Sequence, residues 1–141
     1  MKWFAAHIIM SVRLKSAEQS RFPVWENVVL IAAESERAAF DKAEEYGRQE
    51  EGDDDGTFRW GGRPARWVFA GVRKLAECAV LDARPDDGTE ITFTELELDS
   101  EEAVKQLASG EPTPVKYNDR YRPPKSTAAA EAAKRPRRKR A

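Results

Sequence analysis

Acid–base or nucleophilic chemistry has few places to reside in this chain, which contains one histidine, His7, and one cysteine, Cys78. A triad built on histidine, or a metal site using imidazole, has only His7 to draw on. From Phe4 the even positions read Phe4, Ala6, Ile8, Met10, Val12 and Leu14, a period of two that marks a half-buried strand. His7 has the opposite parity and projects from the other face. Glu26, in the next apolar run, is the carboxylate that could work with it if the two strands are neighbours. The competing assignment is a histidine hydrogen-bonded for structure in or beside a sheet, and it is the more frequent use of such a residue. Cys78 lies in Leu75-Ala76-Glu77-Cys78-Ala79-Val80-Leu81, with no basic neighbour to hold a thiolate, and reads as a small buried hydrophobe.

Three further groupings could bind rather than react. Trp25-Glu26-Asn27 combines a large ring, a carboxylate and an amide, which suits the wall of a pocket and equally suits core packing. Phe58, Arg59, Trp60, Arg63, Arg66, Trp67, Phe69, Arg73 and Lys74 interleave aromatic and basic residues around a turn. Such an array can take an anionic ligand, a nucleobase or an acidic partner. It can also divide into core aromatics and cations that neutralise an acidic body. Glu51, Asp53, Asp55 and Gly56 match the first half of a calcium loop, but the closing bidentate position is Gly62, so a solvated acidic turn is expected. No cofactor and no metal site is assigned.

The elements that must position these groups can be read along the chain. A second strand over about Val24 to Ala33 follows Pro23. Ser35 can cap a helix that carries Ala39, Phe40, Ala43, Tyr46 and Gly47 on one face and ends before Gly52. Gly61-Gly62 supplies a two-residue hairpin turn, with a return strand from near Ala65 toward Leu81 in which Gly71 marks a bend or bulge. A third strand of that meander is expected over Glu90–Leu98. Asp99 with Glu102 has the spacing of a capping box for a short helix with Ala103, Val104 and Leu107 inward, stopping at Gly110. Pro114–Tyr117 adds a last short strand. The expected fold is α+β, a mostly antiparallel sheet of five to six strands with two helices on one face.

Lys2-Trp3-Phe4-Ala5-Ala6-His7, Pro23-Val24-Trp25-Glu26-Asn27, Gly52-Asp53 with Asp55-Gly56-Thr57-Phe58-Arg59-Trp60, and Phe69-Ala70-Gly71-Val72-Arg73-Lys74-Leu75 together resemble the bacterial family called domain of unknown function 4288 (DUF4288), over roughly residues 2–117. The resemblance implies an intact domain and a bacterial origin. It brings no activity, substrate or catalytic residue with it.

Charge divides the chain where the resemblance ends. Residues 1–117 carry 15 Lys and Arg against 23 Asp and Glu, whereas residues 118–141 carry 9 against 2. The expectation is a domain over 1–117 and a disordered tail over 118–141, too poor in bulky apolar groups to offset the entropy of ordering it. Lys134, Arg135, Arg137, Arg138, Lys139 and Arg140 would give that tail weak, salt-sensitive affinity for nucleic acid in general. The apolar start is broken by His7 and lacks a convincing cleavage site, no segment is long enough to span a bilayer, and a lone cysteine suits a reducing compartment. The sequence therefore favours a cytoplasmic, non-catalytic interaction domain with a protein partner or a second copy. A nucleic-acid-associated protein using Arg59, Trp60, Arg63 and Trp67 is one alternative, and an enzyme with a pocket around His7 and Glu26 is the other.

Overall fold

The computed structural model of the chain describes residues 1–16, 18–79 and 84–125. Its fold is α+β, with mostly antiparallel strands in two sheets and two helices. Strands β1 (Lys2–Leu14), β2 (Val24–Ala33), β3 (Arg59–Trp60) and β4 (Arg63–Glu77) form a four-stranded antiparallel sheet in the order β2-β1-β4-β3. β5 (Leu96–Glu97) and β6 (Lys116–Tyr117) pair separately. Helix α1 spans Glu36–Gln49 and α2 spans Glu101–Ala108.

The alternation in β1 sets two unlike faces. Phe4, Ala6, Ile8 and Met10 are buried and pack with Ile31, Ala33 and Leu75 against Ala39, Phe40 and Ala43 of α1. The Ser35 hydroxyl caps this helix by accepting from the Ala38 N–H at 3.1 Å, one of the orphan donors at a helix start. Tyr46 falls outside the buried stripe and is half exposed. Gly47 lies inside it, because Phe69 crosses so closely that an added Cβ would meet its ring at 2.3 Å. The Gly61-Gly62 turn has positive φ at both residues, 57° and 76°, as a two-residue hairpin requires.

β4 does not match β1 residue for residue. The register slips between His7 and Ile8 and again between Ile9 and Met10, leaving Arg73 and Ala70 as extra residues beside Gly71, whose φ is 152°. A bulge lets neighbouring side chains leave the strict alternation. Trp67, Phe69, Val72 and Leu75 consequently all reach the core side, while the consecutive Arg73 and Lys74 both reach across the other face to Asp119.

Two expectations are corrected. The third meander strand over Glu90–Leu98 is realised only at Leu96–Glu97, and it pairs with β6 rather than β4. Residues 91–93 instead cross the polar face of the sheet, where Cys78 Sγ–H donates to the Ile91 carbonyl at 3.3 Å and the Lys74 ammonium donates to the Phe93 carbonyl. Helix α2 buries none of its residues, with Val104 and Leu107 exposed, so it does not join α1 on the sheet. Its cap is Ser100, not Asp99, accepting from Ala103 N–H at 3.1 Å. No helix among the described residues is long and apolar enough to cross a membrane.

Candidate functional site

The candidates named from the sequence fall into two groups on opposite faces. His7, Glu26 and Arg73 meet on the polar face. Val28 is the direct partner of His7 and Ile9 that of Glu26, so the histidine and the carboxylate sit diagonally on one face, within reach across the ladder. Nδ1 of His7 lies 3.0 Å from Glu26 Oε1, and Nε2 lies 2.6 Å from Thr92 Oγ1. The chemistry assigns the tautomer: Nδ1–H donates to the carboxylate, and Nε2 accepts the Thr92 hydroxyl proton.

Glu26 is shared. Its Oε1 also accepts from Arg73 Nε, and its Oε2 accepts from the Tyr117 hydroxyl at 2.7 Å. Arg73 stacks over the Tyr117 ring at 4.3 Å and donates through Nη1 to Asp119 at 2.6 Å, while Lys74 donates to the other Asp119 oxygen at 3.0 Å. Arg73 Nη2 is buried with no acceptor among the described residues. The network thus joins β1, β2 and β4 to residues 92–119, and those residues bury His7 to 2 % exposure although it belongs to the polar face.

Burial pushes the His7 pKa down, and it stays below its ordinary value although the hydrogen bond and charge of Glu26 oppose the shift. Burial would raise Glu26 and Asp119, but the hydrogen bonds and positive charges around them win; Glu26 is lowered and Asp119 is held at about 2. Tyr117 is pushed up by its hydrogen bond to Glu26. The site at neutral pH is therefore a neutral imidazole among paired ions.

Carboxylate, imidazole and hydroxyl follow one another here in the order of a nucleophilic triad. The two grooves described below are lined by other residues.

Trp25, Trp60 and Trp67 form the second group, beyond the end of α1. Trp25 meets Trp60 and Trp67 edge-on at 5.5 and 4.9 Å, and Phe58 stacks on Trp67 at 5.3 Å. Met10, Trp25, Asn27, Glu50 and Trp67 line a hollow of about 250 Å³ beneath them. Arg59 and Arg63 are exposed on the adjoining hairpin and take no part in the histidine network.

Asp53 accepts from Lys15 and from the Gly56 N–H, the latter at 3.0 Å, and these hold its carboxyl below the usual range. Among the described residues no cluster of His, Cys, Asp or Glu is arranged to hold a metal ion. Cys78 is buried, and burial raises its thiol pKa. Lys134, Arg135, Arg137, Arg138, Lys139 and Arg140 lie outside the described residues.

Sequence reasoning missed Thr92, Tyr117 and Asp119 as partners of the histidine group. Contacts also continue past Tyr117: Tyr121 packs on the core and donates to Glu36 at 3.1 Å, and Arg37 donates to the Pro124 carbonyl at 3.1 Å. Neither a curated protein nor a solved structure matches the chain. A family model does match, over residues 3–92, a span that includes His7, Glu26, Arg73, Lys74 and Thr92 and stops short of Tyr117 and Asp119. The chain belongs to the family described as Domain of unknown function (DUF4288).

Proposed function

We propose that this protein is a non-catalytic interaction domain whose binding element is the outer edge of β2, and that the edge pairs with a second copy of the chain. The observation that carries this reading is the character of the strand. Val24–Ala33 contains no proline and no lysine, and its one charge, Glu26, is engaged with His7, Arg73 and Tyr117. Val24, Trp25, Val28 and Leu30 are each at least 40 % exposed. No strand among the described residues covers this edge.

The free backbone groups can be assigned. Trp3, opposite Ala32, turns its carbonyl to Cys78 on the β4 side, and Val12 N–H bonds Pro23 O on the β2 side. By antiparallel alternation the N–H and C=O groups of Val24, Glu26, Val28, Leu30 and Ala32 point away from β1. The Lys42 ammonium on the Ala32 carbonyl, at 2.6 Å, fits this direction. Unprotected edges of this kind recruit strands. A twofold axis at Val29 sets Val28 against Leu30 of the second copy and satisfies the central groups on both sides, as an isologous interface requires. A bacterial cytoplasm, as the family resemblance and the single thiol suggest, belongs to the same proposal.

Light scattering across a concentration series tests the pairing. The native chain should pass from monomer to dimer as concentration rises, and Val28→Lys, which puts a charge on the edge, should stay monomeric with an unchanged circular dichroism spectrum. A native chain that is monomeric at every concentration rejects the second copy as the occupant.

The triad order of Glu26, His7 and Thr92 favours one other reading, hydrolysis through the Thr92 hydroxyl. Turnover of an activated ester that disappears in Thr92→Val would favour it over the interaction domain. Equal background rates in the two proteins would remove it.

A further inference from the structure

At the end of the polar face away from His7, Arg13 and Arg66 stand directly opposite each other on β1 and β4. Like charges in that relation repel, and both side chains are exposed. Three arginines elsewhere find carboxylates: Arg37 binds Asp41, Arg48 binds Glu44, and Arg73 binds Glu26 and Asp119. Within a body carrying an excess of acid over residues 1–117, no described carboxylate forms an ion pair with Arg13 or Arg66. Arg13 rests instead on the Phe22 ring, 4.6 Å from its centroid. Lys15, two residues on, adds a third cation whose charge is shared with Asp53.

These cations border an open groove of about 530 Å³, with Leu14, Phe22 and Val68 as its apolar wall, within the size range of small-ligand sites. Its loop is held in place without regular structure. The Gln19 amide donates to the Val12 and Arg21 carbonyls at 2.8 and 3.0 Å, and its oxygen accepts from Leu14 N–H at 3.1 Å. Gln19 thereby fixes both the strand end that carries Arg13 and the loop that carries Phe22.

We infer that this groove is a binding site for a phosphate group, gripped between the guanidinium groups of Arg13 and Arg66 with Lys15 at its margin. A dianion placed there converts a repulsive pair into two charge-assisted, fork-shaped contacts. The apolar wall then faces whatever organic group the phosphate carries. Arg13 and Arg66 stand on β1 and β4, whereas the free edge belongs to β2.

Calorimetric titration of the full chain with phenyl phosphate and with inorganic phosphate, at constant ionic strength set with chloride, tests the site. The native chain should bind, and Arg66→Gln should bind about tenfold or more weakly, as expected for the loss of one charge-assisted contact. Lys105→Gln, on the exposed helix α2, should bind as the native chain does. In the absence of ligand and at low salt, Arg66→Gln should melt no lower than the native chain, because it relieves the repulsion. Tighter binding of phenyl phosphate assigns the site to a phosphate ester, and equal binding assigns it to the free ion. Absence of binding, or equal binding by the native chain and Arg66→Gln, overturns the inference.

Discussion

Asp119 illustrates how one side chain can govern a face. It receives Arg73 and Lys74 together, and Lys74 is itself buried. Removing the shared anion leaves two cations in a poorly solvated place, which costs more than the pair contributes. Asp119→Ala should therefore lower unfolding stability by about 3–5 kcal/mol, measured by urea titration. The neutral His7 adds a pH dependence. Its folded pKa lies below the ordinary 6.5, so the unfolded chain binds a proton that the folded chain refuses. Stability should be full above pH 6.5 and fall as pH drops through and below that value. A second loss should set in below pH 4.5, where Glu26 of the unfolded chain begins to take up its proton, and continue to about 2, where folded Asp119 does. His7→Gln should abolish the upper limb of the urea midpoint profile and retain the lower one.

Among the elements, α1 and β4 meet where a glycine is indispensable. Gly47→Ala would gain helix propensity of about 1 kcal/mol but must displace the Phe69 ring, for which overpacking costs of about 1–3 kcal/mol apply. The net effect on thermal unfolding should be a lower midpoint, and Phe69→Leu in the same chain should recover part of it. This contact was not legible from the sequence, where Gly47 simply continued an apolar stripe. The bounds of β2, the Ser35 cap and the Gly-Gly hairpin were legible, because each rests on local chemistry. The diagonal meeting of His7 and Glu26 followed once β1 and β2 were taken as neighbours. Thr92 was not legible as a partner, since it lies 85 residues from His7 in a stretch whose alternation pointed to a meander strand and which forms ladder bonds only at Leu96–Glu97. Asp119 carried one faint signal, as an acid in a segment otherwise rich in cations.

For the molecule as a whole, the sheet has one face closed by α1 and the other partly closed by the chain that follows β4. The closing segment contributes Thr92, Tyr117 and Asp119 over His7, then Tyr121 and Pro124 at the start of α1. A chain ending at Tyr117 should therefore unfold at a clearly lower urea concentration than one ending at Lys125. The charge boundary alone would predict no difference between them.

The two bulges in β4 have a further consequence, for how the strand tolerates changes of length. Its core residues are spaced by two, three and three, at Trp67, Phe69, Val72 and Leu75. Each bulge adds one residue to β4 without moving the others off their partners in β1. Loss of Ala70 alone would remove one bulge and leave Trp67, Phe69, Val72 and Leu75 facing inward, and loss of Ala70 and Arg73 together would restore a plain alternating strand with the same apolar set. Length variation in this strand should therefore survive at these two positions, and loss of Arg73 would also remove the guanidinium that ties Glu26 to Asp119.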